Sequence, residues 1–147
     1  MKISKPWRTP VVQDVINVTV MKCRWNTSDK IRGFIEYSNE KEGKKAYDIL
    51  EKMLNLGADV NKLDSYGNSG IWRYCLQANQ ILPTFSYSTN SESDNRIFTK
   101  ELENDLLNIL NLLCKYGADL NYVSPNMNRT VKDFYLGGAL SKILSQI

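Results

Sequence analysis

Ile49-Leu50-Glu51-Lys52-Met53-Leu54-Asn55-Leu56-Gly57-Ala58-Asp59-Val60-Asn61 returns sixty positions later as Ile109-Leu110-Asn111-Leu112-Leu113-Cys114-Lys115-Tyr116-Gly117-Ala118-Asp119-Leu120-Asn121. A unit that cannot bury its own apolar face stacks on a copy of itself, so an internal repeat constrains the architecture before any single residue does. Between Glu42 and Leu56, Ala46, Ile49, Leu50, Met53 and Leu54 fall at helical spacing. Leu102, Leu106, Ile109, Leu110 and Leu113 do the same between Lys100 and Tyr116. Both segments read as amphipathic helices, with Leu50, Leu54, Leu110 and Leu113 in the core. Each helix runs into a glycine, Gly57 or Gly117, that can take the left-handed conformation closing a helix C-terminus. Asp59 and Asn61, like Asp119 and Asn121, have short side chains that bond nearby backbone, so a tight turn or short hairpin follows. Asp64-Ser65-Tyr66-Gly67 continues the first of these turns.

A second helix signal accompanies each phrase. Ser69-Gly70-Ile71-Trp72-Arg73-Tyr74-Cys75-Leu76 aligns without a gap on Thr9-Pro10-Val11-Val12-Gln13-Asp14-Val15-Ile16. A hydroxyl residue ahead of proline or glycine and then an apolar run marks a helix start, with Thr9 or Ser69 as N-cap and Pro10 at the first helical position. A third copy begins at Thr130-Val131-Lys132-Asp133-Phe134-Tyr135 and passes through Gly137-Gly138 to a short helix from Ala139 to Ile147. This last unit is short, as a cap would be.

These phrases resemble the ankyrin repeat, whose unit is a turn followed by two antiparallel helices. Leu56-Gly57-Ala58-Asp59-Val60-Asn61, Asp64, Gly67 and Ser69 carry the resemblance, and Thr130-Val131-Lys132-Asp133-Phe134 is similar to the start of closing repeats. It implies an all-α, ankyrin-like helical repeat solenoid with short turns or hairpins between units. One domain, 1–147, would hold three units at about 5–61, 62–121 and 122–147. The period departs from the family's roughly 33 residues, so the first two units carry insertions between their helices, at about 23–38 and 83–98. The motif's histidine position holds Val12, Trp72 and Asp133, and the chain has no histidine. The bond a histidine makes between neighbouring turns must be absent or replaced.

Chemistry is sparse. Without histidine, Ser-His and Cys-His nucleophiles are excluded, and no glycine-rich phosphate loop is present, so no enzymatic activity and no cofactor is expected. Cys23, Cys75 and Cys114 are odd in number, with no Cys-x-x-Cys pair; they read as idle thiols and not as a disulfide framework or metal site. Glu101 and Asp105 share a helix face expected to be solvated. The net charge of +3 in 147 residues gives no strong global case for nucleic acid or membrane surface. Arg24 and Trp25 with Lys22, Lys30 and Arg32 interleave basic and aromatic residues, although local packing, with the arginines solvated or paired to Asp29 and Glu36, is the stronger reading. The start Met1-Lys2-Ile3-Ser4-Lys5 lacks a signal-peptide core, and no apolar run reaches membrane length; a cytoplasmic location is expected. The insertion Pro83-Thr84-Phe85-Ser86-Tyr87-Ser88 and onward is rich in turn formers and reads as a mobile loop.

In ankyrin proteins the turn tips and the outward face of the first helix bind other proteins. By alignment that surface holds Lys62, Ser65, Tyr66, Asn68, Trp72, Arg73, Tyr122, Asn126 and Met127. Trp72 equally reads as filling the space the missing histidine leaves. The resemblance therefore implies a module that inhibits or sequesters one protein partner, with no small-molecule substrate. Its most concrete form is an immunity protein neutralising a cognate bacterial toxin. The alternative is a pathogen or viral adaptor on a host protein, with nucleic-acid binding a third and weaker reading.

Overall fold

The computed structural model describes residues 9–29, 33–83, 85–86, 91–92 and 96–147. The start of the first unit at residue 5, Lys30, Arg32 and half of the second insertion lie outside the described residues. In chain order the elements are α1 (Val11–Met21), β1 (Asn26–Asp29), β2 (Gly33–Glu36), α2 (Glu40–Asn55) and α3 (Gly70–Ile81). They continue with β3 (Phe85–Ser86), β4 (Ser91–Glu92), β5 (Arg96–Ile97), α4 (Lys100–Lys115), α5 (Val131–Phe134) and α6 (Ala139–Leu144).

The helix pair α2 and α4 begins and ends at positions sixty apart, as the repeated phrase requires. Asn39 and Thr99 start them, each accepting a backbone N–H from the residue three positions on. Gly57 and Gly117 end them at φ of +104° and +88°. At each end the glycine N–H reaches back to Leu54 or Cys114, and the following alanine N–H to Met53 or Leu113. This paired reach-back satisfies carbonyls the helix itself leaves open. The start of α1 departs from expectation. Pro10, not Thr9, is the N-cap, and it makes no side-chain capping bond.

The core is one cluster running through all the longer helices. Leu50, Leu106, Leu110 and Leu113 are fully buried and Leu54 is nearly so; each such leucine contributes roughly 1.5–3 kcal/mol. α1 packs against both α2 and α3, and α3 in turn against α4, α5 and α6. Ile49, predicted on the buried stripe of α2, stands 53% exposed instead.

The all-α solenoid is corrected by the insertions. β1 pairs antiparallel with β2 in the register Asn26↔Glu36 to Asp29↔Gly33, and Gly33 takes φ of +73° at the hairpin corner. On its other edge β1 pairs antiparallel with β5, Asn26↔Ile97 and Thr27↔Arg96. The two insertions thus build one three-stranded sheet, β2-β1-β5, and the described residues form six helices, this sheet and a short two-stranded ladder in place of a helical repeat stack. The physical reason is hydrogen bonding: a long connection held against helices leaves backbone groups that need partners, and two such connections side by side can supply them to each other. The second insertion, expected to be a mobile loop, pairs at its described end with the first, and β3 and β4 form a separate two-stranded ladder.

Candidate functional site

The turns after α2 and α4 are built by short polar side chains. Asp59 Oδ1 accepts the Asn61 N–H and Asp119 Oδ1 the Asn121 N–H, both at 2.9 Å. Asp64 does more: its Oδ1 accepts the N–H groups of Tyr66 and Asn68, each at 2.9 Å. Its carboxylate is 1% exposed, and Arg73 Nη2 reaches Oδ2 at 2.8 Å. Arg73 Nε also donates to Gln13 Oε1 at 3.0 Å. Gln13 Nε2 in turn donates to the Lys62 and Asn68 carbonyls at 3.1 and 2.8 Å. A buried charge is tolerable when paired and hydrogen-bonded, and here every link of the chain has a partner.

The two turns are then joined to each other. Asn61 Nδ2 donates to the Gly117 carbonyl at 2.8 Å while its Oδ1 accepts the Asp119 N–H at 2.9 Å. Tyr122 Oη donates to the Gly67 carbonyl at 2.7 Å, and Asn126 Nδ2 to the Tyr66 carbonyl at 2.7 Å. Trp72 Nε1 donates to the Tyr122 carbonyl at 3.3 Å. Trp72 occupies the position where the resemblance places a histidine, and it supplies a bond from the start of α3 to the turn after α4. It is 1% exposed and its ring sits near Phe134 and Tyr135.

The nine residues predicted at the surface therefore separate into two groups. Trp72 is interior, Arg73 and Tyr122 are half-buried within the bonded network, and the Asn68 and Asn126 side chains are both engaged. Lys62, Ser65, Tyr66 and Met127 are exposed, Tyr66 by 54% and Met127 by 42%. Sequence reasoning missed Leu63 and Val123, 44% and 49% exposed at equivalent places of the two turns. Their signal was present, since each is an apolar residue set inside a run of turn formers.

Elsewhere the chemistry is spent on packing. Burial pushes the Cys23 and Cys75 thiols far above the usual range, and Cys114 is raised for the same reason. Such thiols are poor nucleophiles. Among the described residues no group of three or more His, Cys, Asp and Glu is placed to hold a metal ion. None of the described helices is long and apolar enough to cross a membrane.

Of the basic and aromatic stretch, Trp25 stacks on Tyr37 at 4.1 Å and 8°. Arg24 binds Asp105, with Nη2 at 2.7 Å from Oδ1, and lies 3.9 Å from Glu40. Asp105 was expected on a solvated face and is instead 19% exposed. The pair lies on the wall of an open cleft of about 490 Å³. Tyr47 in that wall has its hydroxyl pKa raised, first by burial and then by Glu51 and Asp48. Comparison with protein-family models, with curated proteins and with solved structures found no match for this chain.

Proposed function

We propose that this chain is a protein-binding module that inhibits or sequesters one partner protein through the tips of its two bonded turns. One observation carries the reading: Leu63, Tyr66, Val123 and Met127 hold apolar surface open to solvent on backbone fixed from both sides by the Asn61, Tyr122 and Asn126 bonds. Rigid presentation lowers the ordering cost of association, and an exposed tyrosine is among the side chains that most often dominate an interface. In its most concrete form the partner is a cognate bacterial toxin whose active site is covered. That form leans on the ankyrin resemblance of the turn phrases, and a host protein engaged by the same face is the alternative.

The test is a comparison of tagged wild type with a Tyr66→Ala, Met127→Ala variant, each drawn through lysate of the source organism at moderate salt. Both substitutions lie on exposed side chains, so thermal unfolding of the variant should match wild type. Trp72→Ala would be a poor probe, since truncating a buried tryptophan costs about 3–5 kcal/mol. A single stoichiometric partner held by wild type and lost by the variant is expected, and its identity separates toxin from host protein. Equal capture by both proteins, or no stoichiometric partner, would overturn the turn-face reading.

A further inference from the structure

α1 carries apolar residues on two opposite sides. Its inner side supplies Val12, Ile16 and Val20, none more than 5% exposed. Its opposite side carries Val11 at 66%, Val18 at 55% and Met21 at 37%. A surface helix normally hides one stripe, whereas a helix apolar on both sides is one covered on both sides. The open face continues onto α2, where Ile49 is exposed, and a shallow cleft of about 450 Å³ between the two helices is walled by Val15, Val18, Ala46 and Ile49.

Charge on this face is ordered along the helix axis. Asp14 stands in the first turn of α1 and Lys22 caps its end, roughly 12 Å apart at the helical rise per residue. Lys45 of α2 lies on the Lys22 half, because its neighbour Ala46 accepts the Thr19 hydroxyl at 3.5 Å. Glu42 on that half accepts the Ser38 hydroxyl at 3.2 Å and keeps its negative charge, so Lys22 and Lys45 leave that half with a net positive charge and Asp14 leaves the other negative. Among the described residues Asp14, Lys22 and Lys45 have no ion-pair partner.

We propose that this face is an interface between two copies of the chain, related by a two-fold axis near Val18 with the two α1 helices antiparallel. Val18 is the midpoint between Asp14 and Lys22. Under that axis Val18 meets its own copy, and the acidic end of each helix lies against the basic end of the other. The complementarity is thus satisfied twice by one kind of chain, the condition for an isologous contact. An unrelated partner would have to bring the matching charges itself. The turn tips lie on other elements, so substitutions on one surface leave the side chains of the other intact and the two readings can fail independently.

Sedimentation equilibrium of the full chain, from micromolar to submillimolar concentration, tests the proposal. A mass rising to twice 16.9 kDa is expected. Val18→Lys sets two lysines together at the axis and should raise the dissociation constant by about 100-fold or more. Asp14→Lys should weaken association, and Asp14→Lys combined with Lys22→Asp should restore it, because the exchange preserves complementarity. Circular dichroism should show unchanged helix content in each, these positions being exposed. A mass of 16.9 kDa at every concentration, a Val18→Lys dimer of unchanged affinity, or a double variant no tighter than Asp14→Lys would each overturn it.

Discussion

Breaking the Arg24–Asp105 clasp should cost far more than an ordinary surface ion pair. Arg24 donates its backbone N–H and its Nε–H to Asp105 Oδ2, both at 3.0 Å, and Nη2–H to Oδ1 at 2.7 Å. Exposed pairs are worth about 0–1 kcal/mol, but these side chains are only 24% and 19% exposed. Hydrogen bonds to charged groups contribute about 1.5–3 kcal/mol when one partner is removed. Asp105→Ala should therefore cost about 2–3 kcal/mol, and Asp105→Asn nearly as much, because the charge and both acceptor oxygens are what Arg24 uses. A double-mutant cycle of Arg24→Ala with Asp105→Ala, followed by urea unfolding, isolates the pair from the lost arginine stem; a coupling of about 1.5 kcal/mol is expected. The clasp joins the entrance of the first insertion to α4. Amide exchange in β1 and β2 should therefore accelerate in Asp105→Ala more than exchange in the centre of α3. A coupling below about 0.5 kcal/mol, or exchange that quickens evenly through the molecule, would refute the clasp as the pin of the sheet.

Two further outcomes test the packing. Gly70→Ala should destabilise by about 2–3 kcal/mol, since an added Cβ would fall on the Val60 carbonyl oxygen, which the Gly70 N–H itself binds at 3.1 Å. Alanine's helix-propensity gain of at most about 1 kcal/mol does not offset this, so a urea midpoint equal to or above wild type would show that the turn yields there. The second concerns alkaline pH. Burial raises the pKa of Cys23, Cys75 and Tyr74 in the folded chain, whereas the unfolded chain releases those protons near pH 8.5 for cysteine and 10 for tyrosine, about the usual values. The folded state then holds more protons, so stability is full at neutral pH and falls as pH rises through roughly 9, by up to about 1.4 kcal/mol per pH unit for each group. Urea midpoints unchanged from neutral pH to pH about 10.5 would contradict the burial of these groups.

The helices were legible because their signals are local and the repeat states them twice. Gly57 and Gly117, Asp59 and Asp119, and the leucines of α2 and α4 each act within a few residues of their own position. The sheet was not legible for the opposite reason. Thr27 pairs with Arg96 and Asn26 with Ile97, so the third strand joins β1 only once two distant insertions meet, and within the first insertion Gly33-Phe34-Ile35-Glu36, the partner of β1, is too short to announce a strand by alternation alone. Arg24, read as solvated or paired to Asp29 and Glu36, and Asp105, read as solvated, are hidden by the same separation, and the structure pairs them with each other. The turn surface shows a different limit. Tyr122 and Asn126 have the residue types of an interface, yet the groups that recognise a partner also serve to bind a neighbouring turn, and here they do the latter. Trp72 follows the same logic, its indole N–H spent on the Tyr122 carbonyl. The bonding that engages these three side chains, of which Trp72 alone is buried, also fixes the backbone beneath Leu63, Tyr66, Val123 and Met127. The candidate surface is therefore narrower than residue type alone implied, and it is held by the residues first assigned to contact. The sheet lies where α1 leads into α2, and the turns lie at the other ends of the helices, so a partner seated on the turn tips has no need to touch the insertions that interrupt the repeat.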